Sequence, residues 1–199
     1  IAAIAPDQVV RGQYRGYSDE AGVNAGSDVE TYVAVRFTID SWRWSGVPWL
    51  IRTGKGLATT ATEAVIRFNP PPRMLFAGED ELVPPPNLLR FRLGHHDGVN
   101  LHLLAKAPGD HLVTQPVQLD VDFDQALGAR ADAYERLIGD ALVGDRRRFG
   151  RADSLDEQWR IVERIVEDPP ETRLYREGTM GPPSADALAA DVGGWIDPL

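Results

Sequence analysis

The chain has no cysteine anywhere in its 199 residues. That excludes disulfides, thiolate nucleophiles and cysteine-ligated zinc together. A cysteine-free chain suits a reducing compartment, so a cytoplasmic location is expected. No apolar run approaches the roughly 20 residues a membrane helix needs, so no membrane partner is expected. Basic residues are also short: 21 Lys and Arg stand against 30 Asp and Glu, a net charge of −9. Phosphate backbones are bound by a surplus of cations, so nucleic acid is not an expected partner, and the acidity serves solubility. The opening segment, Ile1-Ala-Ala-Ile-Ala-Pro6, lacks both an initiator Met and the basic stretch of a signal peptide. It reads as the start of a piece of something longer. There is no internal repeat.

What is present is ordinary globular composition, 43% apolar and 26% charged, enough to bury a core in one domain. The first two-thirds runs in period two. Val33, Val35, Phe37 and Ile39 alternate with Ala34, Arg36 and Thr38, the pattern of a half-buried strand. Pro48–Arg52 and Glu63–Phe68 are shorter strands. Leu88–Leu93 and Val99–Leu104 flank Gly94-His-His-Asp-Gly98, which predicts a hairpin. In Pro116–Phe123, Val117, Leu119, Val121 and Phe123 share one face while Gln118, Asp120 and Asp122 share the other. Short returns imply antiparallel pairing. The segments 19–28 and 70–86 read as long loops.

The last third changes period. Tyr134, Leu137, Ile138, Ala141 and Leu142 form one helical stripe ended by Gly144. Ser154-Leu-Asp-Glu157 reads as a capping box, with Leu155, Trp159, Val162 and Val166 as the buried stripe of the helix that follows. Ser184–Val192 is a third, short helix closed by Gly193-Gly194. Strands followed by helices predict an α+β fold: a large, mainly antiparallel sheet with helices packed on one face.

Few segments invite chemistry. In Arg52-Thr-Gly-Lys-Gly56 two glycines permit close backbone approach, and Lys55 can meet a phosphate or hydroxyl. It is not a Walker A loop, because Trp49 stands at the first required glycine and Gly56 at the Ser or Thr. Nor is it a dinucleotide fingerprint, since Thr59 replaces the third glycine and a strand follows. A ligand corner and a plain glycine turn both fit. His95, His96 and His102 lack metal-ligand spacing, so solvated histidines are expected and no metal site. Asp120, Asp122 and Asp124 start like a calcium loop, but Gln125 and Ala131 stand where Gly and Glu are needed. Arg146-Arg-Arg148 suits the negative end of a helix dipole. No GxSxG elbow occurs, and no catalytic residue is assigned.

Four stretches, in order, resemble a known domain. They are Val9-Val-Arg-Gly-Gln-Tyr14 and Trp42-Arg-Trp-Ser-Gly-Val-Pro-Trp49 running into Ile51-Arg-Thr-Gly-Lys55. Then come Asp132-Ala-Tyr-Glu-Arg-Leu137 leading to Gln158-Trp-Arg-Ile161, and Tyr175 followed by Gly181-Pro182 and Ala185-Asp186. Together they span Val9 to Trp195 and resemble the carboxy-terminal domain of glucose-6-phosphate dehydrogenase, so that residues 1–199 are identified as one such domain. The resemblance implies a parent oxidoreductase that oxidises glucose 6-phosphate at C1 and passes hydride to NADP. It also implies an amino-terminal Rossmann domain with a G-x-x-G-D-L loop and a D-H-Y-L-G-K segment, neither of which occurs here. This portion is then expected to supply one wall of the sugar-phosphate pocket and a homodimer interface through its sheet. Alone it should be inactive.

By the same resemblance, Lys55 matches the family lysine that contacts glucose 6-phosphate. Thr60 stands where many members carry a second cation on the sugar, and Arg92 falls near a family Gln that reaches the substrate. Arg52, Asp186 and Trp195 match positions that some members use for a second, structural NADP. Three other cationic positions read Ala61, Val65 and Met180, so that second site is expected to be absent. Two alternatives remain open: a non-catalytic paralogous assembly or regulatory domain, and a stand-alone sugar-phosphate-binding module.

Overall fold

The computed structural model describes residues 1–70, 85–94, 97–110, 113–128 and 132–199. His95, His96, Ala131 and most of the loop at 70–86 lie outside the described residues. The strands are β1 (Val9–Tyr14), β2 (Tyr32–Thr38), β3 (Pro48–Gly54), β4 (Thr62–Arg67), β5 (Leu88–Leu93), β6 (Gly98–Lys106), β7 (Thr114–Asp122) and β8 (Thr172–Tyr175). The helices are α1 (Phe123–Leu127), α2 (Ala133–Leu142) and α3 (Ala152–Glu167). The class is α+β, as the sequence predicts. The strands, however, form two four-stranded sheets where one large sheet was expected. The chain leaves strand geometry between β3 and β4. Gly56 takes φ 57° there, and the carbonyl of Gly56 and the amide of Ala58 bond Gly178 and Thr179. The chain divides into two compact units, residues 1–60 with 144–197, and residues 61–143 with 198–199.

In the first unit the sheet order is β3-β2-β1-β8. β1–β2 and β2–β3 are antiparallel, whereas β8 joins β1 in parallel. That parallel strand was not foreseen; it returns only after α3, a connection long enough to reverse direction. The core is Tyr32, Ala34, Tyr175, Ala185 and Leu188, with Val10, Leu50 and Trp195 packed on it. The Tyr32 ring lies close against Gly54, where an added Cβ would come within 2.8 Å of Cδ2. A side chain at 54 would therefore displace the ring. The buried polar side chains Arg11 and Gln13 are hydrogen-bonded here. Arg11 donates to the carbonyls of Pro170 (3.0 Å) and Asp28 (3.2 Å) and to Glu30 Oε2 (2.8 Å). Arg36 clasps the Asp191 carboxylate.

The second unit has order β4-β5-β6-β7, all antiparallel. The register sorts its residues as the alternation predicts. Ile66, Leu89, Leu101 and Leu119 lie side by side across the four strands, as do Ala64, Phe91, Val99 and Val121. This apolar face is open: Ile66 is 45% exposed, Leu119 54% and Val121 47%. The opposite face aligns Val65, Arg90, Asn100 and Asp120, and there Arg90 and Asn100 are buried. Among the described residues, every buried apolar side chain belongs to the first unit.

The helices depart from expectation in what they cover. In α2, capped by the Asp132 carboxylate on Tyr134 N and Glu135 N, the stripe residues Tyr134, Ile138 and Leu142 are exposed. In α3, Leu155, Trp159 and Val166 are exposed too, although the sequence predicts them buried. Periodicity fixes which residues share a face, not what lies against it. Two boundaries also move. Helix α3 begins at Ala152, so Ser154 sits inside it and caps nothing. The expected third helix is a 3-10 segment, Pro183–Val192, closed by Gly193 at φ 85°. No helix among the described residues is long and apolar enough to cross a membrane.

Candidate functional site

Lys55 follows the last residue of β3 on a backbone pinned from several sides. Its amide donates to the Thr31 carbonyl (2.8 Å), and its own carbonyl accepts from the buried Tyr175 hydroxyl (2.7 Å). Just beyond, Gly178 N donates to the Gly56 carbonyl (2.8 Å) and Ala58 N to the Thr179 carbonyl (3.0 Å). Gly56 itself needs its left-handed conformation, and a Cβ there would press on Glu177 Cγ at 3.0 Å. The side chain that this backbone carries is exposed, and among the described residues its ammonium has no hydrogen bond or ion pair. A fixed backbone with an uncompensated cation suits an incoming phosphate or hydroxyl. Thr60 is exposed, at the end of the first unit.

Arg52 lies three residues earlier on β3 and is already engaged. Its guanidinium stacks over the Trp195 ring at 4.9 Å and bonds Asp197 Oδ1 at 2.5 Å. Trp195 in turn donates from Nε1 to the Ala185 carbonyl at 2.9 Å. The structure thus brings Arg52 and Trp195 together, but a carboxylate of the chain's own tail meets the positive charge. Asp186 is exposed on the 3-10 segment, and its charge acts on Tyr32. Burial, the largest cause, pushes the Tyr32 phenol up to about 12.

Arg92 belongs to the second unit. It donates to Asp120 Oδ1 (2.8 Å), while Asn100 Nδ2 donates to Oδ2 (2.9 Å). The Asn100 bond and then the Arg92 charge hold the Asp120 carboxyl below its usual range. Beside them Arg90 bonds Glu63, a pair with side chains only 4% and 8% exposed. Arg92 is therefore committed to a carboxylate. Asp122 caps α1 through Gln125 N (3.0 Å), so the aspartates of this segment serve structure. No cluster that could hold a metal occurs among the described residues. Arg147 of the basic run bonds Asp145 on the surface.

Sequence reasoning missed the Glu63–Arg90 pair, Asn100 and the Thr31–Tyr175 contact beneath Lys55. The first two had a signal: polar residues recurring at every second position of strands whose other positions are apolar. The last had none, because its partners are 144 residues apart in the chain.

Comparison with known proteins gives a consistent result. A profile of the family "Glucose-6-phosphate dehydrogenase, C-terminal domain" matches residues 2–196. The chain is 37% identical over 198 residues to glucose-6-phosphate 1-dehydrogenase 1 of Mycobacterium tuberculosis (strain CDC 1551 / Oshkosh), covering 100% of this chain and 42% of that one. Against the glucose-6-phosphate 1-dehydrogenase of Bacillus subtilis it is 36% identical, covering 93% and 42%. The crystal structure of the Mycobacterium avium enzyme superposes with TM-score 0.85 at 36% identity, covering 99% of this chain and 42% of that one. A glucose-6-phosphate dehydrogenase in complex with its substrate glucose 6-phosphate superposes at 0.80 and 30% identity, covering 99% and 43%. The chain thus spans about two-fifths of the length of these relatives.

Proposed function

The chain belongs to the glucose-6-phosphate dehydrogenase C-terminal domain family, and from that premise we propose that it supplies the sugar-phosphate wall of an oxidoreductase acting on glucose 6-phosphate. The reaction removes hydride from C1 to NADP and passes the C1 hydroxyl proton to a base. No D-H-Y-L-G-K segment is present among these residues, so the base and the nicotinamide site are contributed elsewhere. The observation that carries the proposal is Lys55: a pinned backbone, an exposed ammonium and, among the described residues, no carboxylate paired with it. Its task is binding. An ammonium donates to hydroxyls and attracts a dianionic phosphate at once. Thr60 offers a hydroxyl where a cation would add charge, which shifts recognition toward hydroxyls. Arg92 acts on substrate only after leaving Asp120.

A second NADP does not fit this domain. Arg52 is met by Asp197, and Ala61, Val65 and Met180 offer no cation. The partner for assembly is a second copy of this chain, docked through the open apolar face of the second sheet. Four strands about 4.8 Å apart and up to nine residues long give a footprint of roughly 550 Å², of the order a stable dimer needs. With a net charge of −9, the chain is proposed to act in the cytoplasm, as expected from its sequence, and not on nucleic acid.

The isolated chain should reduce no NADP in the presence of glucose 6-phosphate; sustained turnover would sink the proposal. It should still bind the sugar phosphate, and Lys55→Ala should weaken that binding by about 1.5–3 kcal/mol. An unchanged affinity would remove Lys55 from the site. A second reading, a non-catalytic assembly or regulatory domain, is favoured by the internal pairing of Arg52 and Arg92. It predicts self-association with no sugar-phosphate binding at all.

A further inference from the structure

Four groups of the first unit form an unbroken line toward Lys55. The amide of Tyr14 donates to Thr31 Oγ1 (3.0 Å), and Thr31 Oγ1 lies 3.0 Å from the Tyr175 hydroxyl. The Tyr175 hydroxyl is 2.7 Å from the Lys55 carbonyl and 3.3 Å from the Thr31 carbonyl. Donor arithmetic fixes the direction. A carbonyl can only accept, so the single phenolic proton goes to Lys55, the nearer of the two. Tyr175 oxygen is then left to accept from the Thr31 hydroxyl, which itself accepts from Tyr14. The two hydroxyls thus each accept and donate, an arrangement in which neighbouring bonds strengthen one another. Burial pushes the Tyr175 phenol above its ordinary value, so it remains a neutral donor. The ring is held independently of its hydroxyl. It packs against Tyr32 at 5.6 Å and edge-on to Tyr14 at 6.4 Å, and it is 2% exposed.

From this geometry we infer that Tyr175, seconded by Thr31, is a positioning residue for Lys55 and thereby for sugar-phosphate recognition. The inference rests on the reading of Lys55 as a substrate contact and adds the device that aims it. Thr31 holds the lysine amide through its carbonyl, and Tyr175 holds the lysine carbonyl. The peptide units on both sides of the Lys55 Cα are therefore fixed, and only the side-chain torsions remain free. Preorganisation of this kind acts on affinity, because a cation already aimed loses less freedom when it binds. The hydroxyl touches no reacting atom and performs no chemistry.

The test is Tyr175→Phe in the full chain, which keeps the ring and removes one oxygen. Amide hydrogen exchange, read with no ligand present, should show the Lys55 amide exchanging about tenfold faster, with the β5–β6 amides unchanged. Calorimetric titration with glucose 6-phosphate should give a dissociation constant about three- to tenfold weaker. Thr31→Val breaks the line one step earlier, should show the same pattern more weakly, and serves if Tyr175→Phe does not fold. Unchanged exchange at Lys55 overturns the clamp, as does unchanged affinity in a variant whose exchange has risen. If the wild-type chain binds no glucose 6-phosphate, it is the Lys55 reading that fails, and the exchange comparison still decides whether Tyr175 holds the lysine backbone.

Discussion

The two sheets are built from the same number of strands and solve opposite problems. The first closes an apolar core around Tyr32, Tyr175 and Leu188. The second leaves its apolar face open and buries polar side chains on the other, Arg90 and Asn100. A sheet with one apolar face is stabilised by another layer against it; the first sheet has that layer within its own unit, and the second is the face proposed above for assembly. The proposed ligand corner, Lys55, sits on the first unit. That is where a cation can be aimed, because aiming requires a rigid support.

The largest expected effect breaks the first core. Tyr32→Ala empties the space beside Gly54 and should cost about 3–5 kcal/mol in denaturant unfolding. Loss of less than about 1 kcal/mol would mean the core is not the unit's support. In the second unit the matching weight lies on the buried ion pair. Arg90→Met strands the Glu63 carboxylate and should cost about 3–5 kcal/mol, whereas Glu63→Leu with Arg90→Met together should come near neutral. Equal costs for the single and double variants would show that volume, not charge, decides there. Leu119→Ala on the open face should change the stability of the dilute chain by less than about 1 kcal/mol. It should weaken self-association measured by sedimentation. A large stability loss with no change in association would mean that the face is covered within the chain.

The smallest effect is a pH dependence confined to the first unit. Tyr32 titrates at about 12 in the folded chain against 10.0 when free of its surroundings, because burial disfavours the phenolate. The raised value means that its contribution is intact below pH 10 and is lost as pH climbs toward 12. Fluorescence-detected unfolding across that window should show the loss, and Tyr32→Phe should make it shallower, leaving the part due to Tyr14 and Tyr175, which are raised in the same direction. A Tyr32→Phe chain with the same alkaline slope would assign the effect elsewhere.

The sequence carried more of the faces than of the layers. Alternation in Val117, Leu119 and Val121 predicts the side of β7 they occupy, and the register agrees. The same alternation is silent on whether anything covers that side, so exposure at Leu119 and at Trp159 was not legible. Strand β8 is only four residues long, too short for period two to register. Lys55 stands out as a candidate in the sequence because its flanking glycines permit close backbone approach. Of the two residues proposed to hold its backbone, Thr31 reaches it through the β2–β3 pairing, whereas Tyr175 lies 120 residues away and meets it only after β8 pairs with β1.

The chain contains just two lysines, Lys55 and Lys106. Lys106 is tied by its ammonium to the carbonyls of Ala107 (3.0 Å) and Gly109 (2.5 Å), on the other unit. Lysine-selective isotope labelling therefore yields a two-signal side-chain spectrum with its own control. Titrating glucose 6-phosphate into the wild-type chain should move the Lys55 signal saturably and leave Lys106 in place. A Lys55 signal that stays still, or that moves in step with Lys106 as general screening would dictate, contradicts the account.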